Sequence, residues 1–500
     1  MNKVQAHYEK YREHLREIAD IRFASAVLQW DQETYLPFKG NEIRGNQIAT
    51  LNALAHQKFT DEKTGSLLLE LLSMDGLSEI QHKNVLLSYE DFIKSKKLPS
   101  EFVKRTTSTT NRAFHEWIKA RKENKFSYFQ PVLQEVINDK LEESQLLGFE
   151  KHPYNALLNE FDKGQTVDSV DLLFEDLSKQ LLPILQSIKQ MPQVDDSFLR
   201  LNYEKNKQWE FGMNLLRQIH FNFDAGRQDI SEHPFTVSFN SNDVRLTTRI
   251  DENDLGNMVW SCIHEAGHGL YEQGLSNEDY GLPSGEACSL SIHESQSRLW
   301  ENCVGRNLQF WKNKLTLLKK YFPDQLGNIS AETFYKGINK VKPSLIRTEA
   351  DELTYHFHVI IRYEIEKKLM EKNITASDIP EIWNAYYKKY LDVNVPDDKL
   401  GCLQDVHWSH GSFGYFATYS IGSLYAAQFW ETIKNNTPEI EKELLSGNTI
   451  KIFEWLQQHI YSHGRLYSST ALCEKATYEP LKTEFFIRYI KDKYSYIYNT

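Results

Sequence analysis

Helical periodicity, seldom interrupted by proline or glycine, constrains this chain more than any other feature. Apolar residues recur at three- and four-residue spacing through 67–95, 128–148, 168–190, 207–221, 307–321, 352–372 and 450–463. The 14 prolines and 23 glycines of the 500 residues fall between these runs, so the spacing predicts a mainly α protein. One stretch departs from the pattern. Residues 235–239 and 244–250 alternate and carry β-branched side chains, with the turn signal 240–243 between them, which predicts a β-hairpin. No internal repeat, low-complexity linker or composition shift marks a boundary, so a single unit over residues 1–500 is expected.

The composition removes several classes. A formal net charge of −11 argues against a nucleic-acid partner, whose footprint is a basic surface. Cys262, Cys288, Cys303, Cys402 and Cys473 are odd in number and form no CxxC pair, which predicts reduced core thiols in a cytoplasmic protein. The N-terminus opens with Tyr8, Tyr11, Leu15 and Ile18 at helical spacing among charges, not with an apolar signal segment. No run of about 18 apolar residues is present, so no membrane association is expected.

The hairpin ends immediately before the helix that carries His264-Glu265-Ala266-Gly267-His268. Two histidines four residues apart on a helix lie one turn apart, so both imidazoles reach one metal ion, and the glutamate after the first can take a proton from bound water. Asp251 is the expected helix cap and Gly274 the expected stop. Between them Leu255, Met258, Val259, Cys262, Ile263, Ala266 and Leu270 form one apolar stripe. His264, Glu265 and His268 fall on the opposite side, so the helix has a core face and a chemical face.

A third protein ligand separates the classes of zinc enzyme. The three-histidine extension fails here, because Tyr271 stands where it needs glycine and Gly274 where it needs histidine. The other route is a glutamate from a following helix. Glu286, after Pro283-Ser284-Gly285, is expected in the first turn of that helix; Glu294 lies deeper, sharing a face with Ala287, Leu290, Ser297 and Glu301. Glu294 is favoured because its small neighbours permit close approach of a metal, and Glu286 reads better as a capping or solvated carboxylate.

With these residues in view, the chain resembles the carboxypeptidase Taq family of metallocarboxypeptidases. His233-Pro234-Phe235 matches its HPF element, and Asp243, Arg245 and Thr247 match DxRxT. His264 to His268 match HExxH, and His293-Glu294-Ser295-Gln296 match the segment of the third ligand. Ile346, Arg347, Ala350 and Asp351 match IRxxAD; Gly401, Gln404, Asp405, His407 and Trp408 match GxxQDxHW. Trp30-Asp31 and Pro37 resemble the family's N-terminal region.

The resemblance implies a mainly α, saddle-shaped zinc-peptidase fold with a deep central groove, a homodimer, and release of single C-terminal residues with broad specificity using zinc or cobalt. It assigns His264, His268 and Glu294 to the metal and Glu265 to proton transfer. His407 and either Tyr419 or Tyr415, with Tyr419 preferred, become donors to the developing oxyanion. Arg347 is the first choice for the substrate's free carboxylate, since a planar guanidinium matches two oxygens at once. Arg245 is second and His233 is added to that pocket, with a structural histidine as its alternative; acids such as Asp351 and Asp243 are alternative partners for the two arginines. The cluster Tyr355-His356-Phe357-His358 is expected to cross the core rather than bind a second metal. An endo-acting zinc oligopeptidase and a non-catalytic peptide-binding protein are the competing functions.

Overall fold

In the computed structural model, which describes residues 3–499 apart from the Phe38 side chain, helices dominate and a single three-stranded sheet interrupts them. The predicted helices appear where local signals agree. Val167–Lys189 starts on a capping box between Thr166 and Ser169. It then buries Val170, Phe174, Leu177, Leu181, Leu185 and Ile188 along one stripe, each contributing about 1.5–3 kcal/mol relative to exposure. The run expected over 67–95 is two helices, Glu62–Leu72 and Glu79–Lys96. Ser78 and Gln81 form a reciprocal side-chain box that starts the second, and Gly76 turns the chain before it at φ +102°.

Two compact units emerge, each assembled from three stretches of chain. Unit one comprises the residues up to Lys96, Asp195–Ile338 and Phe429–Pro480; unit two comprises Lys97–Val194, Asn339–Gln428 and the residues from Leu481 on. A chain that leaves and re-enters a unit needs no flexible linker, which is why composition marks no boundary.

In unit one, Tyr8, Tyr11, Leu15 and Ile18 are buried against Ala55, Phe59, Leu68, Leu71, Val85 and Phe92. The predicted hairpin is present as β2 (Thr236–Asn240) and β3 (Asp243–Thr248), and β1 (Gly226–Ile230) lies parallel to β3 on its other side. The order β1-β3-β2 leaves β2 paired along one edge only. β1 escaped the sequence pattern because Gly226-Arg-Gln-Asp-Ile230 lacks a β-branched run. Trp30, near the end of the helix Lys3–Thr34, sits beneath Arg245 at 4.3 Å and Arg227 at 5.3 Å, which ties that helix to the sheet.

All five cysteines are buried and unpaired in disulfides. Among the described residues no helix is long and apolar enough to cross a membrane.

Candidate metal centre

The helix Leu255–Gly274 carries the HEAGH motif and packs its apolar stripe, buried from Leu255 to Leu270, against β3. Its cap is Asp254, whose side chain accepts from Gly256 N at 2.9 Å. Asp251 was the expected cap; it instead accepts from Asn253 N at 2.8 Å. Several acids at the helix start satisfy the same local rule, so the tertiary fold chose between them. Gly274 ends the helix as expected.

Glu294 lies on a second helix, Leu290–Arg298, capped by Ser289. This helix crosses the motif helix at Gly267, where an added Cβ would lie 2.5 Å from Ser297 Cα and 2.7 Å from Gln296 O. Only glycine permits that approach. Its result is that His264 Nε2 and His268 Nε2 lie 3.9 Å and 3.6 Å from Glu294 Oε2, and one ligand atom from each of the three residues falls within 4.8 Å of the others.

The donor set fits a divalent metal. The nitrogen-to-carboxylate distances are too long for hydrogen bonds, yet two metal–ligand bonds of about 2.1 Å would span them. Glu294 Oε1 is occupied by Arg298 Nε at 2.7 Å, which leaves Oε2 toward the histidines. Burial, with His293 and His264 adding to it, holds the His268 pKa well below its usual value, so this imidazole is neutral as a ligand must be.

His264 is oriented by a residue whose role the sequence did not disclose. Glu301 Oε2 lies 2.9 Å from His264 Nδ1, while Oε1 accepts from Arg306 at 3.1 Å. Burial pushes the Glu301 pKa up, but His264, Arg298 and Arg306 outweigh it and keep the carboxylate charged. A charged carboxylate only accepts, so His264 donates from Nδ1 and Nε2 is the atom left to face a metal. Burial lowers the His264 pKa, but Glu301, Glu294 and Glu265 outweigh it and raise it, so a metal would compete with a proton there. Glu301 sits in a π-helical segment, Leu299–Gly305, that continues the Glu294 helix. Glu301→Gln must set its amide against either His264 or Arg306, donor facing donor. Metal binding should weaken by about 10- to 100-fold, read by competition with a chelator; unchanged affinity would remove Glu301 from this role.

Glu265 is 7 % exposed, and its Oε2 lies 2.6 Å from the Thr236 hydroxyl of the edge strand β2. Burial raises its pKa, partly offset by His264 and Thr236. Thr236 is a further residue the sequence reading missed, because nothing distinguishes it from any β-branched strand residue.

Glu286 stands outside this group. It follows a short turn, Pro283–Gly285, in extended conformation rather than in the first turn of a helix, and pairs with Arg465 at 3.1 Å. The Pro-Ser-Gly sequence closes a turn of its own, and the helix begins only at Leu290. Arg245 is bidentate to Asp243 at 2.9 Å on both arms, the alternative partner foreseen for it. His233 is exposed, one residue before Pro234.

Unit two gathers the remaining predicted residues. Arg347, 5 % exposed, directs Nε and Nη2 to Asp405 Oδ1 at 3.0 Å and 2.8 Å, and Nη1 to the Tyr355 hydroxyl at 3.1 Å. Asp351 does not pair with it, because both its oxygens accept from backbone and hydroxyl donors at Lys342, Leu353 and Thr354. Arg362, absent from the motifs, is fully buried with Nε 2.6 Å from Asp405 Oδ2. Burial raises the Asp405 pKa, but the two arginines outweigh it and hold the carboxyl ionised.

His407 Nε2 lies 3.1 Å from the Tyr419 hydroxyl, and the Tyr415 ring centroid is 5.4 Å from the His407 ring. Burial, reinforced by Arg347, lowers the His407 pKa to about 3, so the ring is neutral. Gly411 and Gly414 predict a glycine-containing loop after His407 that carries both tyrosines, but Tyr419 is on the helix Phe416–Asn436 and Tyr415 immediately precedes it. Gly414 lies two residues before that helix, so the glycine signal stops short of Tyr419, which explains the misplacement. His356 and His358 are buried on the helix Tyr355–Met370 and bond to Ser420 and Tyr387. Among the described residues His264, His268 and Glu294 form the one group able to hold a metal.

Comparison with known proteins identifies the family and the fold. A family model described as carboxypeptidase Taq (M32) metallopeptidase matches residues 10–494. Carboxypeptidase 1 of Bacillus subtilis is 36% identical over 494 residues, which cover 98% of this chain and 99% of that one. A solved structure named as CHT is 54% identical with a TM-score of 0.96, covering 98% of this chain and 99% of the other. The M32 carboxypeptidase from Deinococcus radiodurans is 35% identical with a TM-score of 0.97, covering 99% and 100%.

Proposed function

The chain belongs to the carboxypeptidase Taq (M32) metallopeptidase family, and from that premise we propose how its residues divide the removal of C-terminal residues from peptides. It is a metal-dependent carboxypeptidase; the endo-acting and purely binding alternatives are not favoured by relatives named carboxypeptidase. The observation that carries the division of roles is the meeting of His264, His268 and Glu294 beside a buried Glu265.

His264, through Nε2, His268, through Nε2, and Glu294, through Oε2, would hold the ion. Two imidazoles and a carboxylate suit zinc, with cobalt as the alternative. When bound, the metal supplies Lewis acidity, lowering the pKa of water toward about 7 and polarising the scissile carbonyl. Glu265 Oε2 is engaged by Thr236, so Oε1 is the atom that accepts the water's proton and returns it to the leaving amine. Glu301 keeps His264 in its tautomer. His407 Nε2 and the Tyr419 hydroxyl, which now hydrogen-bond to one another, would exchange that bond for donation to the charge that develops on the carbonyl oxygen; Tyr419 is preferred over Tyr415 because its hydroxyl reaches His407.

For the substrate's free carboxylate, Arg347 is the first candidate, through Nη1, which bonds to Tyr355 and is the arm not committed to Asp405. In unit two Tyr415 joins it in substrate binding; in unit one Arg245 and His233 are assigned there. The unpaired edge of β2 offers backbone groups to an extended peptide, as strand addition does elsewhere. We further propose broad side-chain preference, both units serving one catalytic entity, a homodimer, and a cytoplasmic location.

A peptide with a free C-terminus and its C-terminally amidated twin test the exopeptidase reading. Mass spectrometry should show stepwise loss of single residues from the free acid and an intact amide. Internal cleavage of the amide, without single-residue release from the acid, would overturn it.

A further inference from the structure

Glu366 lies on the helix Tyr355–Met370, is fully buried, and belongs to none of the motifs described above. Its two oxygens accept three hydrogen bonds. Trp408 Nε1 donates to Oε1 at 2.8 Å, Gly414 N donates to Oε2 at 2.8 Å, and the Tyr154 hydroxyl donates to Oε2. Two of the donors bracket the segment that separates His407 from Tyr415 and Tyr419. That segment turns back on itself, with Ser412 N donating to His407 O at 3.0 Å. Gly414 enters the turn at φ +97°, pressed against the helix Tyr154–Phe161 so closely that a Cβ would lie 2.7 Å from Leu157 O. His407 and Tyr419 are twelve residues apart and meet because this turn closes.

We propose that Glu366 is a positioning residue for the His407–Tyr419 pair, its carboxylate stapling residue 408 to residue 414 so that imidazole and phenol face the same point. The arrangement suits a carboxylate and no isostere. A glutamine must place its NH₂ against Trp408 Nε1 or against Gly414 N, donor facing donor, in either orientation. Burial lifts the Glu366 pKa to about 7 against the pull of these three donors, so ionisation is opposed by desolvation and the hydrogen bonds from Tyr154, Gly414 and Trp408 are what favour the carboxylate. The proposal rests on His407 and Tyr419 acting as oxyanion donors.

A double-mutant cycle on the metal-loaded enzyme tests it. Glu366→Gln should lower kcat by about 10- to 100-fold with KM changed by less than about threefold, since displacement of a donor is felt in the transition state. In a His407→Ala background the same substitution should change kcat by less than about twofold, because its effect passes through His407. A role confined to stability would instead lower the melting temperature and leave kcat of the folded fraction unaltered. If Glu366→Gln turns over like wild type, or lowers kcat by the same factor with and without His407, the proposal is overturned while the oxyanion reading stands. If His407→Ala alone retains wild-type kcat, the oxyanion reading fails and takes this one with it. Should Glu366→Gln melt below the assay temperature, Trp408→Phe removes a single bond of the staple and carries the same cycle. A drop of about 3- to 10-fold, absent without His407, is then expected, and additivity overturns the proposal.

Discussion

Glu265→Gln should keep one metal ion per chain and lose about 10³-fold in kcat, with KM little changed. The glutamine carbonyl replaces Oε2 as acceptor for the Thr236 hydroxyl, so the side chain keeps its place. Its amide then stands where the proton should be received, and an amide does not take that proton at neutral pH. A positioned general base contributes about 10²–10⁴ in rate, and 10³ corresponds to about 4 kcal/mol of transition-state stabilisation. Metal content by mass spectrometry, measured beside single-turnover rates, separates loss of the base from loss of the ion. A fully metallated variant with wild-type turnover would remove Glu265 from the proposed mechanism.

Glu294→Ala should empty the site, and activity should fall to background with it. Two imidazoles one helical turn apart form an incomplete site, and the variant also removes the carboxylate that accepts from Arg298 Nε at 2.7 Å, leaving less negative charge around the position of the metal. Affinity should drop by more than the roughly 10- to 100-fold that an outer hydrogen-bonding partner contributes. Glu286→Ala is the control, since Glu286 pairs with Arg465 and is not part of the three-residue group. Dialysis against chelator followed by metal analysis distinguishes the two variants. Retention of the ion by the Glu294 variant, or its loss from the Glu286 variant, would reassign the third ligand.

What the sequence disclosed and what it withheld divide along the range of the interactions. The motif helix was legible because its stripe, its acidic start and its glycine stop are local signals; only the choice of Asp254 over Asp251 needed the surrounding fold. The split of 67–95 was written locally too, in the Ser78–Gln81 box, but the apolar spacing on either side masked it. β1 was invisible, since it is a strand through its pairing with β3 and not through its own composition. Glu301 shares a face with Glu294 in any helical projection. Its function depends on two arginines and on His264, 37 residues away. The same holds for Arg347, whose partner is Asp405 and not its neighbour Asp351. Motif resemblance therefore named residues but, apart from Asp243 for Arg245, not their partners. Partners are a property of packing, and each unit is packed from three separated stretches of chain.

The glycine inside the HEAGH sequence has a consequence for how the ligand set tolerates change. Because the two ligand-bearing helices meet main chain to main chain at Gly267, the separation of their backbones is gauged by backbone thickness. Backbone cannot yield by rotating about a side-chain bond, so any larger residue at 267 would part the helices and carry Glu294 away from both histidines. The crossing works as a caliper, and its jaw is one missing methyl group.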